Sequence, residues 1–150
     1  MVLIRRAKEF GATIRELVHL WTVFCRSILE QSCIVWHSNL TQENTDDLER
    51  TQKTFAKLVL GRKYCNYEDA LLRLNLYSLS KGRKQLCLNF AKSGLRNRTL
   101  TDLLQRRKSR HSMKVRKPEK HEVKFTNTER YGRSGIPYMQ SLLNNDDSNY

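Results

Sequence analysis

Residues 13–36 run Thr13-Ile14-Arg15-Glu16-Leu17-Val18-His19-Leu20-Trp21-Thr22-Val23-Phe24, then Cys25-Arg26-Ser27-Ile28-Leu29-Glu30-Gln31-Ser32-Cys33-Ile34-Val35-Trp36. Thr13 with Glu16 three residues on is a capping box, in which the hydroxyl accepts from the backbone and the carboxylate reaches back. Ile14, Leu17, Val18, Trp21, Cys25, Ile28, Ser32 and Val35 recur at three- and four-residue steps, the period of one buried helix face. Leu20, Phe24 and Leu29 widen that face. The stretch predicts one long, central helix from 14 to about 36. Trp21, Trp36 and Phe24 fall on or beside its apolar stripe and are expected in the core rather than as base-stacking platforms. Arg26 and Glu30, four apart, would form a surface ion pair.

Shorter helices are expected on either side. Residues 2–10 suit a helix closed by Gly11. After the break at His37-Ser38-Asn39-Leu40, Thr41 can cap a helix with Glu43, Asp46, Asp47 and Glu49 early and Lys53 and Lys57 late, a polarity that complements the helix dipole. Leu48, Phe55, Leu58 and Val59 form its apolar face, and Gly61 ends it. Asn66 can cap a helix to Leu74 that buries Ala70, Leu71 and Leu74. Ser78 or Ser80 opens another, to about Leu95, with Leu79, Arg83, Leu86, Phe90 and Ala91 as its stripe. Gly82 costs that helix about 1 kcal/mol relative to Ala, so a start after Gly82 is the alternative. Thr101–Gln105 can add a turn, Val123–Phe125 a short strand, and Ile136–Met139 with Leu142 and Leu143 a docking helix with Pro137 in its first turn.

The expected architecture is all-α, about four helices around the long 14–36 helix, with a basic extended C-terminal tail. Its parts are a helical region 1–105, a basic segment 106–133, and a short docking helix and tail 134–150. Only 6 Gly and 2 Pro among 150 residues leave room for long helices. The net charge is +13. Residues 1–105 contribute +7, residues 106–133 contribute +8 and residues 134–150 contribute −2. The 106–120 stretch has few apolar residues and cannot offset its own ordering entropy by burial.

No secretory signal is expected, since Arg5, Arg6 and Lys8 come directly after Met1–Ile4. The most apolar stretch, Leu17–Trp36, carries His19, Arg26 and Glu30 and would make a poor membrane span. The expected location is intracellular, nucleus or cytoplasm, with four free thiols.

Catalytic groupings are weak. Cys33 and His37, four apart, could share a helix face, and His19 and Cys25 lie on one helix, but no C-x-x-C or H-x-x-x-H pair occurs, so core thiols are expected rather than zinc. Asp46-Asp47 and Asp146-Asp147 lack the aromatic residue two positions ahead that marks a polymerase metal turn. Asp46 and Asp47 also suit a helix start for dipole reasons alone. No nucleophile elbow or phosphate-binding glycine loop is present. No catalytic residue, metal or cofactor is therefore expected. The cations suggest a polyanion instead, because each Lys or Arg that neutralises a phosphate releases a counterion. The candidate contacts are Lys53, Lys57, Arg83, Lys84 and Lys92 on the helices, and Arg106, Arg107, Lys108, Arg110, Lys114, Arg116, Lys117 and Lys120 in the basic run.

Ser27-Ile28-Leu29-Glu30 with Val35-Trp36-His37, Leu48-Glu49-Arg50-Thr51-Gln52-Lys53, and the series Tyr67, Ala70, Leu71, Leu74, Leu76, Leu79 and Arg83 occur in one order. Thr128-Glu129-Arg130-Tyr131, Ser134, Ile136-Pro137-Tyr138 and Leu142-Leu143-Asn144 come after them. Together they resemble the C-terminal end of the reverse transcriptases of jockey-like non-LTR retrotransposons, over nearly the whole chain. Gln31, where the family has Tyr, and Gly82, where a charged helix former is expected, depart from its pattern. The resemblance implies the helical thumb and the region beyond it, in an enzyme class that copies RNA into DNA. It also implies that the palm, with its catalytic aspartates, precedes this segment. The expected function is therefore non-catalytic contact with RNA or DNA through phosphates. Two alternatives stay open: an inert relic or protein-interaction module, with self-association through an exposed apolar face, and part of a complete reverse transcriptase.

Overall fold

A computed structural model describes residues 1–97, 101, 104, 121 and 127–146. The described residues are mostly helical, with no strand among them. They form α1 (Val2–Glu9), α2 (Ile14–Leu20), α3 (Ser27–Glu30), α4 (Cys33–Trp36), α5 (Gln42–Leu60), α6 (Tyr67–Arg73), α7 (Leu79–Gly94), α8 (Glu129–Gly132) and α9 (Gly135–Asn144). The all-α class holds, but four helices around one long helix do not describe it. The chain divides into two compact units, Met1–Ser32 with Leu40–Arg83, and Cys33–Asn39 with Lys84–Tyr150. The division falls within the region 1–105 that the sequence suggests as one body.

The expected long helix is interrupted twice. Its capping box forms as read, with Thr13 N donating to Glu16 Oε2 at 2.7 Å. From Trp21 to Arg26 the backbone is a π-helix, a widened turn that advances the helix by one extra residue. Thr22 and Ser27 hydroxyls donate to the carbonyls of Val18 and Val23 four residues back, bonds that compete with regular α-helical geometry. The helix then stops at Glu30, and Ser32 takes a positive φ of 53°.

The widened turn moves the buried face by one position. Leu17 and Trp21 are buried as expected, but the next buried residue is Arg26 rather than Cys25. Ile28, Val35 and Phe24, all expected inside, are exposed instead.

The core of the first unit contains Ile4, Leu17, Trp21, Phe55, Ala56, Val59, Leu60, Ala70 and Leu74. Trp21 stacks on Phe55 with ring centroids 4.5 Å apart. Polar contacts fix the surrounding helices. Lys8 Nζ donates to the carbonyls of Leu58 and Val59 in the last turn of α5, where a cation offsets the negative end of the helix. Glu49 accepts from the Tyr67 hydroxyl at 2.6 Å and from the Ser80 backbone N–H at 2.7 Å. Gln52 Nε2 donates to the Tyr77 carbonyl at 3.0 Å. Glu49 thus ties α5 to Tyr67 of α6 and to the start of α7, and Gln52 ties it to Tyr77 just before α7.

The second unit packs Cys33, Cys87 and Leu142 in one cluster, and Ala91, Leu104 and Leu143 in another. The docking helix forms as α9, with Pro137 buried in its first turn. His121 N donates to Asn144 Oδ1 at 2.9 Å, and Asn144 Nδ2 donates back to the His121 carbonyl at 3.0 Å. The His121 ring nitrogen Nδ1 lies 3.0 Å from the Leu104 carbonyl. The strand suggested for Val123–Phe125 and the basic run 106–120 lie outside the described residues.

Candidate nucleic-acid interface

α5 starts at Thr41, whose Oγ1 accepts from Asn44 N at 3.2 Å, and ends at Gly61, where φ is 53°. Its buried face is Gln52, Phe55, Ala56, Val59 and Leu60. Helical spacing then turns Lys53 and Lys57 outward on successive turns, and both are exposed. Lys53 Nζ sits 5.3 Å from the centre of the Tyr67 ring, and Lys57 Nζ sits 5.5 Å from that of Tyr64. Such cation–π contacts contribute about 0.5–1 kcal/mol at exposed sites. They place the ammonium groups without neutralising them.

Tyr67 is itself fixed by Glu49. Burial pushes its phenol well above the ordinary value of 10.0, and the hydrogen bond to Glu49 pushes it in the same direction. It therefore remains a neutral donor under ordinary conditions.

A 3₁₀ turn at Gly61–Lys63 extends the basic end of α5 with exposed Arg62 and Lys63. These two lie outside the candidate set read from sequence, although Arg62-Lys63-Tyr64 is a basic–aromatic triplet directly after a helix-ending glycine. Among the described residues, Lys53, Lys57, Arg62 and Lys63 have no acidic group within ion-pair distance, whereas Arg50 pairs with Asp47 at 2.7 Å. The acids Glu43, Asp46 and Asp47 lie at the opposite end of α5, so the helix carries its free positive charge near Gly61.

The remaining candidates separate. Lys84 is exposed on α7. Arg83 is not a surface cation: it is fully buried, because the inward face of α7 runs through Leu79, Arg83, Cys87 and Ala91. Leu86 and Phe90, expected on that face, are partly exposed instead. Lys92 is also not free for a phosphate, since its Nζ pairs with Asp146 at 2.5 Å. Arg106, Arg107, Lys108, Arg110, Lys114, Arg116, Lys117 and Lys120 lie outside the described residues.

The first unit has a second cation site, at the Arg26–Glu30 pair expected on the surface. Arg26 Nε binds Glu30 Oε1 at 2.9 Å, with both side chains largely buried. The guanidinium lies 4.2 Å from the centre of the Tyr77 ring. Gly82 closes the site. A Cβ there would lie 2.3 Å from Arg26 Nη2, 2.6 Å from Glu30 Oε1 and 3.1 Å from Tyr77 Cε2. α7 therefore runs through Gly82 rather than starting after it, and the glycine gives the pair its space.

Among the described residues, no group of three or more His, Cys, Asp and Glu side chains is placed to hold a metal ion, and no helix is long and apolar enough to cross a membrane. No protein-family model, curated protein or solved structure matches the chain.

Proposed function

We propose that this chain is a non-catalytic nucleic-acid-binding module, related to the C-terminal region of the retrotransposon polymerases it resembles. The observation that carries the reading is the outward pair Lys53 and Lys57, each held over a tyrosine ring and with no acidic partner among the described residues. Arg62 and Lys63 continue the same positive end. The basic run 106–120 adds eight Lys and Arg residues to the chain's polyanion-binding capacity. Ammonium groups spaced along a helix act as point charges on phosphates. They position a nucleic acid without reading its bases, so the contact is independent of sequence.

Fluorescence anisotropy with labelled RNA–DNA hybrid, single-stranded RNA and duplex DNA across a salt series tests this. The expected result is binding that weakens steeply with salt, by about 0.9 in the log–log slope for each phosphate neutralised on a duplex. Deleting residues 106–120 is expected to lower that slope further than substituting Lys53 and Lys57. Absence of binding near physiological salt would overturn the proposal.

A further inference from the structure

We infer that Tyr67 is a positioning residue: it holds Glu49 away from Lys53 and so keeps that ammonium open to a phosphate. The withholding of Glu49 stands on geometry alone, and its use toward a phosphate rests on the proposed nucleic-acid contact. Glu49 stands four residues ahead of Lys53 on α5. Acid before base at this spacing is the arrangement in which a helix most readily forms an ion pair. Elsewhere in the chain such pairs close. Asp47 binds Arg50 at 2.7 Å, Asp69 binds Arg73 at 2.7 Å, and Glu129 binds Arg133. Glu49 does not close on Lys53, whose Nζ lies over the Tyr67 ring instead.

The reason is that both Glu49 oxygens are taken. Oε2 accepts from the Tyr67 hydroxyl at 2.6 Å, and Oε1 accepts from the Ser80 N–H at 2.7 Å. These donors belong to α6 and to the first turn of α7, so the carboxylate is turned across the helices rather than along α5. Glu49 is half-buried while Lys53 is exposed. A carboxylate already holding two short, charge-assisted bonds gains little from a hydrated ammonium. Tyr67 thus acts twice, with its hydroxyl on the acid and its ring under the base. Lys57 supplies the internal control. It has Lys53 and Thr54 one turn before it and Leu60 and Gly61 one turn after, so no acid on α5 competes for it and it depends on no such device.

The test compares Lys53 with Lys57 in the full chain without nucleic acid, by limited acetylation with acetic anhydride and mass spectrometry. In Tyr67→Phe the ring stays but Glu49 Oε2 is released. Labelling of Lys53 relative to Lys57 is expected to fall about twofold, the size of one helical ion pair. Adding Glu49→Gln to Tyr67→Phe is expected to restore it. Glu49→Gln alone is expected to leave the ratio as in the wild type, and this arm decides the matter should Tyr67→Phe not fold. An unchanged ratio in folded Tyr67→Phe, a fall that Glu49→Gln does not reverse, or a rise in Glu49→Gln alone would overturn the inference. The same variants are then titrated with labelled duplex DNA across a salt series. Tyr67→Phe is expected to lower the log–log slope by up to about 0.9, one phosphate, and to add nothing to Lys53→Gln. The expected labelling pattern with a wild type that binds no DNA would overturn the phosphate contact and leave the positioning of Glu49 standing.

Discussion

The first unit holds cations over tyrosine rings in two places. At Tyr77 the guanidinium of Arg26 is buried, paired with Glu30 and closed in by Gly82. At Tyr67 and Tyr64 the ammonium groups of Lys53 and Lys57 lie over the ring faces and are open to water. The residue chemistry is similar, but the roles separate by burial and counterion. A neutralised, dry cation contributes to packing specificity, because removing either partner leaves an uncompensated charge inside. An un-neutralised, wet cation contributes little to the fold and remains available to a phosphate.

The largest expected effect is at Arg26. Arg26→Ala leaves Glu30 in the interior without its partner and is expected to cost about 3–5 kcal/mol in urea unfolding. Lys53→Ala is expected to stay within about 0.5 kcal/mol. Equal costs for the two would erase the distinction.

Gly82→Ala comes next. Alanine favours a helix by about 1 kcal/mol, yet its methyl would displace two side-chain ends that hold each other over Tyr77. A net loss of about 1–3 kcal/mol is expected. Because the clash is with Arg26 and Glu30, the penalty should shrink in the Arg26→Ala background, as a double-mutant cycle would show. Strict additivity would mean that the glycine serves some other purpose.

Tyr67→Phe is expected to cost about 1.5 kcal/mol through loss of a hydrogen bond to a carboxylate. The folded chain holds the Tyr67 phenolic proton more tightly than the unfolded chain does. Its contribution is therefore intact below about pH 10 and is lost as pH rises beyond that. Unfolding curves of the wild type and Tyr67→Phe should converge at alkaline pH. Parallel curves across that range would show that Glu49 does not act through the phenol.

The smallest effect on stability, and the most informative for function, belongs to Lys53→Gln with Lys57→Gln. Thermal unfolding should be unchanged, while the salt slope of duplex binding falls by about 2. A loss of stability without a change in slope would make these lysines structural.

Local signals in the sequence are legible where a single residue decides the backbone. Thr13 with Glu16, Thr41, Gly61, Asn66 and Pro137 mark helix starts and stops that the structure shows. The 14–36 helix is misread from sequence because its apolar residues fit an unbroken 3.6-residue period. Nothing in that period announces a widened turn, and only Thr22 and Ser27 supply side chains able to hold one. Arg26 and Glu30 at an i,i+4 spacing are ordinary surface chemistry until the turn rotates them inward. Gly82 looks in sequence like a cost to its own helix because the reason for it lies on a helix more than 50 residues earlier. For the candidate interface, Lys53 and Lys57 emerge from helix polarity. Arg83 is misplaced because an arginine among leucines at helical spacing carries no sign, in sequence, of whether its head group reaches water.

The widened turn at Trp21–Arg26 also has a genetic consequence. A π turn is an α-helix holding one residue more than its length requires, so the helix from Ile14 to Glu30 already accommodates the equivalent of a one-codon insertion. Removing a single residue between Thr22 and Cys25 would bring the inward positions back to ordinary α spacing, with Leu17, Trp21, Arg26 and Glu30 still on one side. A one-codon deletion, which elsewhere in a helix rotates every later side chain by about 100°, should be best tolerated in that interval.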